Sequence, residues 1–186
     1  MRVAVSGTHC SGKSTLIEEF LVDHTDFAHE PEPYTVLQDD YGEVFAGEPS
    51  ADDFYRQLAF NVERLRCYAS GARVIYERSP VDFLAYLLAL NDLQRDKESA
   101  GLVERSLALV TDGIKHLDLI VFLPLEDERA TVPDSEDREL RSAVDDRLMG
   151  ILGDDDFKLF PSNCPVVLEA RGTTAQRLKM LERALA

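Results

Sequence analysis

Residues 2–14 of the chain read RVAVSGTHCSGKS. Residues 2–6 are rich in valine with little polar alternation, the pattern of a strand buried on both faces. Residues 7–14 then match G-x-x-x-x-G-K-[ST] at Gly7, Gly12, Lys13 and Ser14. Glycines let the backbone curl until successive N–H groups point inward at phosphate oxygens. Lys13 brings a cation to the β and γ phosphates, and Ser14 a hydroxyl to Mg²⁺. Leu16, Ile17, Phe20 and Leu21 follow on one face of a helix, whose positive N-terminal end faces the same phosphates. Strand, loop and helix in this order predict a nucleotide triphosphate site with Mg²⁺, formed by Gly7, Ser11, Gly12, Lys13, Ser14 and Thr15. Within the loop, His9 and Cys10 read as spacers that contribute backbone N–H groups.

Outward from this stretch, strand and helix patterns alternate. Residues 26–30 read as a short second strand and 31–49 as irregular, with two Glu-Pro steps and two glycines. Residues 51–70 carry Phe54, Leu58, Val62, Leu65 and Ala69 at helical spacing, stopped by Gly71. A third strand spans 73–76 and ends at Glu77. Pro80 fits the first turn of a helix bearing Phe83, Leu84, Leu87, Leu88 and Leu90. A further helix spans 98–117 and an almost wholly apolar strand 118–123. Residues 126–147 form a charged stretch whose later part is helical, 165–168 a last strand and 173–186 a last helix. There is no repeat, linker or low-complexity tract. The alternation predicts one α/β domain over 1–186, with a single parallel sheet covered by helices on both faces and right-handed crossovers.

The chain has 186 residues, enough for one full core with a small lid. Its formal net charge is −15, a surface that repels phosphate backbones, which argues against nucleic acid as a partner. Any bound nucleotide must then be held by a local cluster of N–H groups and a few cations. The cysteines, Cys10, Cys67 and Cys164, are odd in number and lack metal-ligand spacing. They read as reduced thiols of a cytoplasmic protein. The N-terminal apolar run is too short for a signal peptide, and no run approaches the roughly 18 residues of a membrane span. The sequence leaves open whether the chain is a homo-oligomer.

A phosphate loop needs a carboxylate for the metal at the end of a neighbouring apolar strand. Glu77 is so placed, whereas Asp118 opens its strand. Glu77-Arg78-Ser79 resembles the Glu-Arg-Ser motif of the deoxyribonucleoside kinase family, and Pro31-Glu32-Pro33 its Glu-Pro motif. Gln57, Arg64 and Arg66 match the spacing of a Gln and two Arg on that family's substrate helix. These matches span about residues 1–90. The resemblance implies Glu32 as base toward a sugar hydroxyl, with Glu30 in reserve. It likewise implies Glu77 as metal carboxylate, Arg78 as phosphate clamp, Gln57 as base reader and Arg64 beside the acceptor. Residues 76–88, the run Val121-Phe122-Leu123-Pro124-Leu125 and the final Gly-Thr-x-x-x-Arg-Leu at 172–178 resemble a broader set. These are small AAA-labelled P-loop ATPases akin to nicotinamide riboside kinase domains. By resemblance, the sheet order is 2-3-1-4-5, in a three-layer P-loop NTPase fold.

Arg129, Arg138 and Arg141 fall where such kinases carry a closing lid, about 126–147. Arg138 and Arg141 are three apart, hence on one helix face. Residues 169–174, EARGTT, resemble the loop that packs on adenine, through Gly172 and Thr173; either threonine reads equally as an N-cap. The expectation is an ATP- and Mg²⁺-dependent kinase acting on a hydroxyl of a small-molecule acceptor, with a nucleoside as the candidate class. The rivals are a GTP switch, an AAA-like ATPase working on a protein partner, and a nucleotide sensor. Asp39-Asp40-Tyr41-Gly42 matches D-x-x-G, but it precedes the third strand and no N-K-x-D follows.

Overall fold

The computed structural model describes residues 1–45, 47, 49–69, 71–126, 133, 136–160 and 164–186. Five parallel strands form one sheet in the order β2-β3-β1-β4-β5. They are β1 (Arg2–Ser6), β2 (Ala28–Glu30), β3 (Val74–Glu77), β4 (Leu119–Phe122) and β5 (Val166–Glu169). The described residues include seven helices: α1 (Lys13–Asp23), α2 (Pro33–Asp39), α3 (Ala51–Cys67), α4 (Pro80–Asp92), α5 (Ser99–Ile114), α6 (Arg138–Asp154) and α7 (Thr174–Leu185). None is long and apolar enough to cross a membrane.

Successive side chains of a strand point to opposite faces, so the central strands feed two cores. Val3, Val5, Ile75, Leu119 and Val121 join Leu16, Ile17, Phe20 and Leu181 under α1 and α7. Ala4, Val74, Tyr76, Ile120 and Phe122 join the larger core beneath α3, α4, α5 and α6. α4 is apolar around its whole circumference, and every side chain from Pro80 to Leu90 is buried, as a helix with no polar stripe must be. α3 is amphipathic instead. Ser50 caps it by accepting from Asp53 N–H, Asp52 and Asp53 occupy its first turn, and Arg64 and Arg66 its last. All of these complement the helix dipole.

The register brings the C-terminal ends of the central strands together. Val5 pairs with Glu77 and Ser6 with Phe122, so the loops after β1, β3 and β4 leave the same edge. Residues 31–49 are not wholly irregular as expected: α2 forms there. Pro33 supplies the fixed φ of a first helical position, and Pro33 and Leu37, one turn apart, are buried against the protein.

Candidate functional site

The loop of residues 7–12 bends between β1 and α1 under two constraints. Gly7 has φ 151°, and a Cβ there would lie 2.7 Å from the Leu123 carbonyl oxygen and 2.6 Å from Ser11 Oγ. Gly12 has φ 93° as N-cap of α1, a conformation that side chains with a Cβ rarely adopt. The curl is held from below by Asp82 of α4, which is fully buried. Gly7 N–H donates to Asp82 Oδ1 (2.9 Å). Ser79 N–H (2.8 Å) and Ser79 Oγ–H (3.0 Å) donate to Asp82 Oδ2. Ser6 Oγ–H in turn donates to Ser79 Oγ at 2.7 Å. One carboxylate thus ties the loop to the start of the most deeply buried helix.

Lys13 is buried, and its ammonium donates to Thr8 O at 2.9 Å. Burial first, then the charge of Arg78, pushes it down to about 8. Ser14 Oγ–H donates to Glu77 Oε1 at 2.8 Å. The hydroxyl and the carboxylate expected at a metal therefore meet between the first turn of α1 and the end of β3. Lys13, Ser14, Thr15 and Glu77 line a cavity of about 320 Å³ together with His9, Cys10, Gly12 and Glu32.

A second cavity of about 450 Å³ adjoins it. Phe54, Tyr86, Phe83, Tyr34 and Gln57 line it, and Glu32 and Arg78 stand at its polar end. Phe54 and Tyr86 stack at 4.4 Å between ring centroids, and the Arg78 guanidinium lies over Tyr86 at 5.3 Å. Arg78 donates to Glu32 Oε1 and, at 3.1 Å, to Gly7 O. Its φ is 77°, which is uncommon for a residue with a side chain and concentrates at sites where geometry matters more than ease. Val5 O and the Asn61 amide clamp its backbone, Arg78 N–H donating at 3.0 Å and Asn61 Nδ2–H donating to Arg78 O at 3.3 Å. Burial alone would raise the Glu32 carboxyl, but Arg78 and Lys13 beside it hold it below the usual glutamate range. Glu32 is therefore ionised at neutral pH.

A third cavity, of about 180 Å³, lies on the other side of the loop between Pro124, Leu125, Gly172, Thr173 and Arg177. Arg177 donates to Ser11 O at 2.8 Å and pairs with Glu126 at 3.1 Å. Gly172 N–H donates to Glu126 Oε1 at 3.1 Å. Thr173 is the N-cap of α7, the second of the two roles read for it, and forms a capping box with Gln176 while lining this cavity.

The remaining expected site residues separate. Glu30 and Arg64 are bound to each other through Arg64 Nε–H (2.9 Å) and Nη2–H (2.6 Å), with Tyr68 O–H also donating to Glu30. Neither lines these cavities, so the residues read as reserve base and acceptor contact lie apart from Glu32 and Gln57. Arg141 donates to His9 O (2.8 Å) and so sits directly over the loop. Arg138, at the first position of α6, is exposed one turn away and lines none of them. Arg129 lies outside the described residues. His9 is more than a spacer: its Nδ1 lies 2.6 Å from Glu136 Oε2. Sequence reasoning gave no role to Asp82, Asn61 or Arg177. Asp82 was signalled by the Ser79-x-x-Asp82 spacing of a capping box, and Arg177 by the Gly-Thr-x-x-x-Arg-Leu run.

No protein-family model and no curated protein matches the sequence. Solved structures share its fold. Thymidylate kinase from Candida albicans superposes with a TM-score of 0.68 at 18% identity, over 99% of this chain and 90% of that one. Deoxyadenosine kinase from M. mycoides with bound dATP gives 0.67 at 12% identity, over the whole of both chains. The NadR protein in complex with NR gives 0.69 at 17% identity; it covers 98% of this chain, which spans only 50% of the NadR chain. The chain thus shares the fold of these three structures.

Proposed function

We propose that the chain is a Mg²⁺-dependent phosphotransferase that moves the γ-phosphate of ATP to a hydroxyl of a small molecule of nucleoside type. The observation that carries this reading is the position of Glu32. It lines both the phosphate cavity, with Lys13, Ser14 and Glu77, and the aromatic cavity, with Gln57, Phe54 and Tyr86. A base belongs at that junction, because the acceptor hydroxyl gives up its proton where it meets the γ-phosphate. Its ionised state supports the role.

Ser14 and Glu77 fit Mg²⁺, a hard cation that takes oxygen ligands. These two residues would hold it, and the ion would neutralise charge on the β and γ oxygens. Thr8 Oγ1, Ser11 Oγ and Arg177 Nε are buried with no hydrogen-bond partner among the described residues, a cluster of unmet polar groups that suits a polar ligand at the loop. Lys13, Arg78 and Arg141 would face the transferring group. Gln57 offers an amide to a base edge, and the Phe54–Tyr86 stack offers a flat wall to a ring. The cavity at Gly172 and Thr173 would take the adenine. Arg78 is already engaged by Glu32, and Glu136 and Asp137 add negative charge at the rim. An acceptor without a phosphate of its own fits this balance.

The test is ATP consumption with Mg²⁺ against nucleosides, nicotinamide riboside and simple sugars. One acceptor should raise turnover, and Glu32→Ala should lower kcat by about 10²–10⁴-fold while nucleotide binding persists. Glu77→Ala should raise the Mg²⁺ requirement. If no acceptor lifts turnover above slow hydrolysis, the reading fails in favour of a partner-dependent ATPase or a nucleotide sensor.

A further inference from the structure

We propose that His9, Cys10 and Glu136 form a binding site for a borderline-soft divalent metal ion, Zn²⁺ being the best fit, on the outer rim of the phosphate loop. The three residues bring one nitrogen, one sulfur and one carboxylate oxygen within 4.8 Å of one another. Zinc takes that mixture of donors. It differs in kind from the hydroxyl and carboxylate of Ser14 and Glu77, which suit a hard cation. The inference does not depend on the phosphotransferase reading.

The geometry is close to what zinc requires. Cys10 Sγ lies 3.5 Å from His9 Nδ1. A nitrogen and a sulfur at zinc bond lengths of ~2.05 and ~2.3 Å around a tetrahedral centre stand roughly 3.5 Å apart. His9 Nδ1 and Glu136 Oε2, now 2.6 Å apart, must open by a little under ~1 Å. Glu136 sits at a bend two residues before α6 begins and lines the 450 Å³ cavity, which leaves its side chain room to turn. The loop side is already fixed. Cys10 holds φ 57°, and Arg141 donates to the carbonyls of both His9 (2.8 Å) and Cys10 (3.5 Å). Such outer contacts orient metal ligands. The His9 side chain is 56% exposed, which gives the ion a path in. Three protein donors leave a fourth position for water or a phosphate oxygen. A bound ion would fasten residue 136 to the loop.

The experiment uses a Cys67→Ser/Cys164→Ser background, in which Cys10 is the remaining thiol of the chain's three. Co²⁺ titration should show one equivalent with a sulfur-to-cobalt charge-transfer absorption, and Cys10→Ser should abolish that band. In competition with a chromophoric chelator, His9→Ala should weaken Zn²⁺ binding by about tenfold or more, since even loss of an outer partner does as much. Glu136→Gln repeats the measurement without touching the loop backbone and should also weaken binding. Absence of the sulfur band in the parent, or Zn²⁺ affinity unchanged in Cys10→Ser and Glu136→Gln, overturns the proposal.

Discussion

Replacing Asp82 by Asn isolates the part of the structure that holds the phosphate loop in shape. The side chain is fully buried, and its two oxygens take Gly7 N–H at 2.9 Å, Ser79 N–H at 2.8 Å and Ser79 Oγ–H at 3.0 Å. Asparagine keeps the shape but turns one oxygen into a donor. Whichever way the amide sits, its NH₂ faces a buried N–H, from either Gly7 or Ser79. A buried donor left without an acceptor costs about 1–3 kcal/mol. Loss of the charge 3.6 Å from the Arg78 guanidinium adds to this, softened because Glu32 still pairs with Arg78. A total of roughly 2–4 kcal/mol follows. For a domain of this size each kcal/mol moves the melting temperature by about 2–4 °C, so Asp82→Asn should melt roughly 5–15 °C lower. Asp82→Ala, which removes both acceptors, should melt lower still. The assay is thermal unfolding followed by circular dichroism, with nucleotide binding measured well below the transition. A melting temperature within about 2 °C of the parent would refute the claim that this carboxylate anchors the loop.

Other perturbations probe different parts of the site. Because Lys13 is pushed down to about 8 by burial and by Arg78, a triphosphate bound beside it should restore its proton. Nucleotide binding should then take up a proton above pH 8 and weaken by up to about tenfold per pH unit there. Calorimetry in buffers of different ionisation heat would show equal heats if this is wrong. Asp145 accepts from Leu125 N–H at 3.0 Å, yet burial pushes its carboxyl up to about 6. A carboxyl raised above its unfolded value binds more protons when folded, so stability should fall as pH rises from about 4 to about 6. Asp145→Asn keeps the acceptor and removes the buried charge. It should match the parent near pH 4 and exceed it by about 1–3 kcal/mol at pH 7; denaturant titration showing no pH-dependent gain would count against it. Gly7→Ala places a Cβ 2.7 Å from the Leu123 carbonyl, a backbone atom that cannot rotate away, and should abolish nucleotide binding; binding at the parental level would contradict the steric argument.

How far the site could be read from the sequence depended on range. The strand, loop and helix of residues 2–14 are contiguous, and their spacing alone predicts the cradle. Glu77 was also legible, since an apolar strand ending in a carboxylate beside that loop has few other meanings. Residues that act over long separations were not. The Glu30–Arg64 pair spans 34 positions and exists because the end of β2 meets the last turn of α3. Since the chain leaves β2 after Glu30 and turns into α2, strand periodicity does not carry over to Glu32. The helix α2 itself has only seven residues, too few for a periodic pattern to stand out. Asp82 was masked by its surroundings, a lone acid in an apolar helix whose capping-box spacing to Ser79 was legible but whose reach to Gly7 was not. The sheet order came from resemblance, and the register supplies what periodicity could not: which strand ends share an edge.

The complete burial of α4 bears on how such a chain can change over time. Arg78, Ser79 and Asp82 are attached to a helix whose side chains from Pro80 to Leu90 are all interior, so substitutions there are removed for instability before activity is ever tested. The wall of the aromatic cavity facing it comes from α2, with two buried residues, and from one face of α3. Tyr34 is exposed, and Phe54, although it packs against the larger core, is only partly buried, so exchange there costs folding less than exchange of a fully buried side chain. Selection for a different small molecule would therefore find its freedom on one side of Glu32, while the other side stays fixed by folding alone.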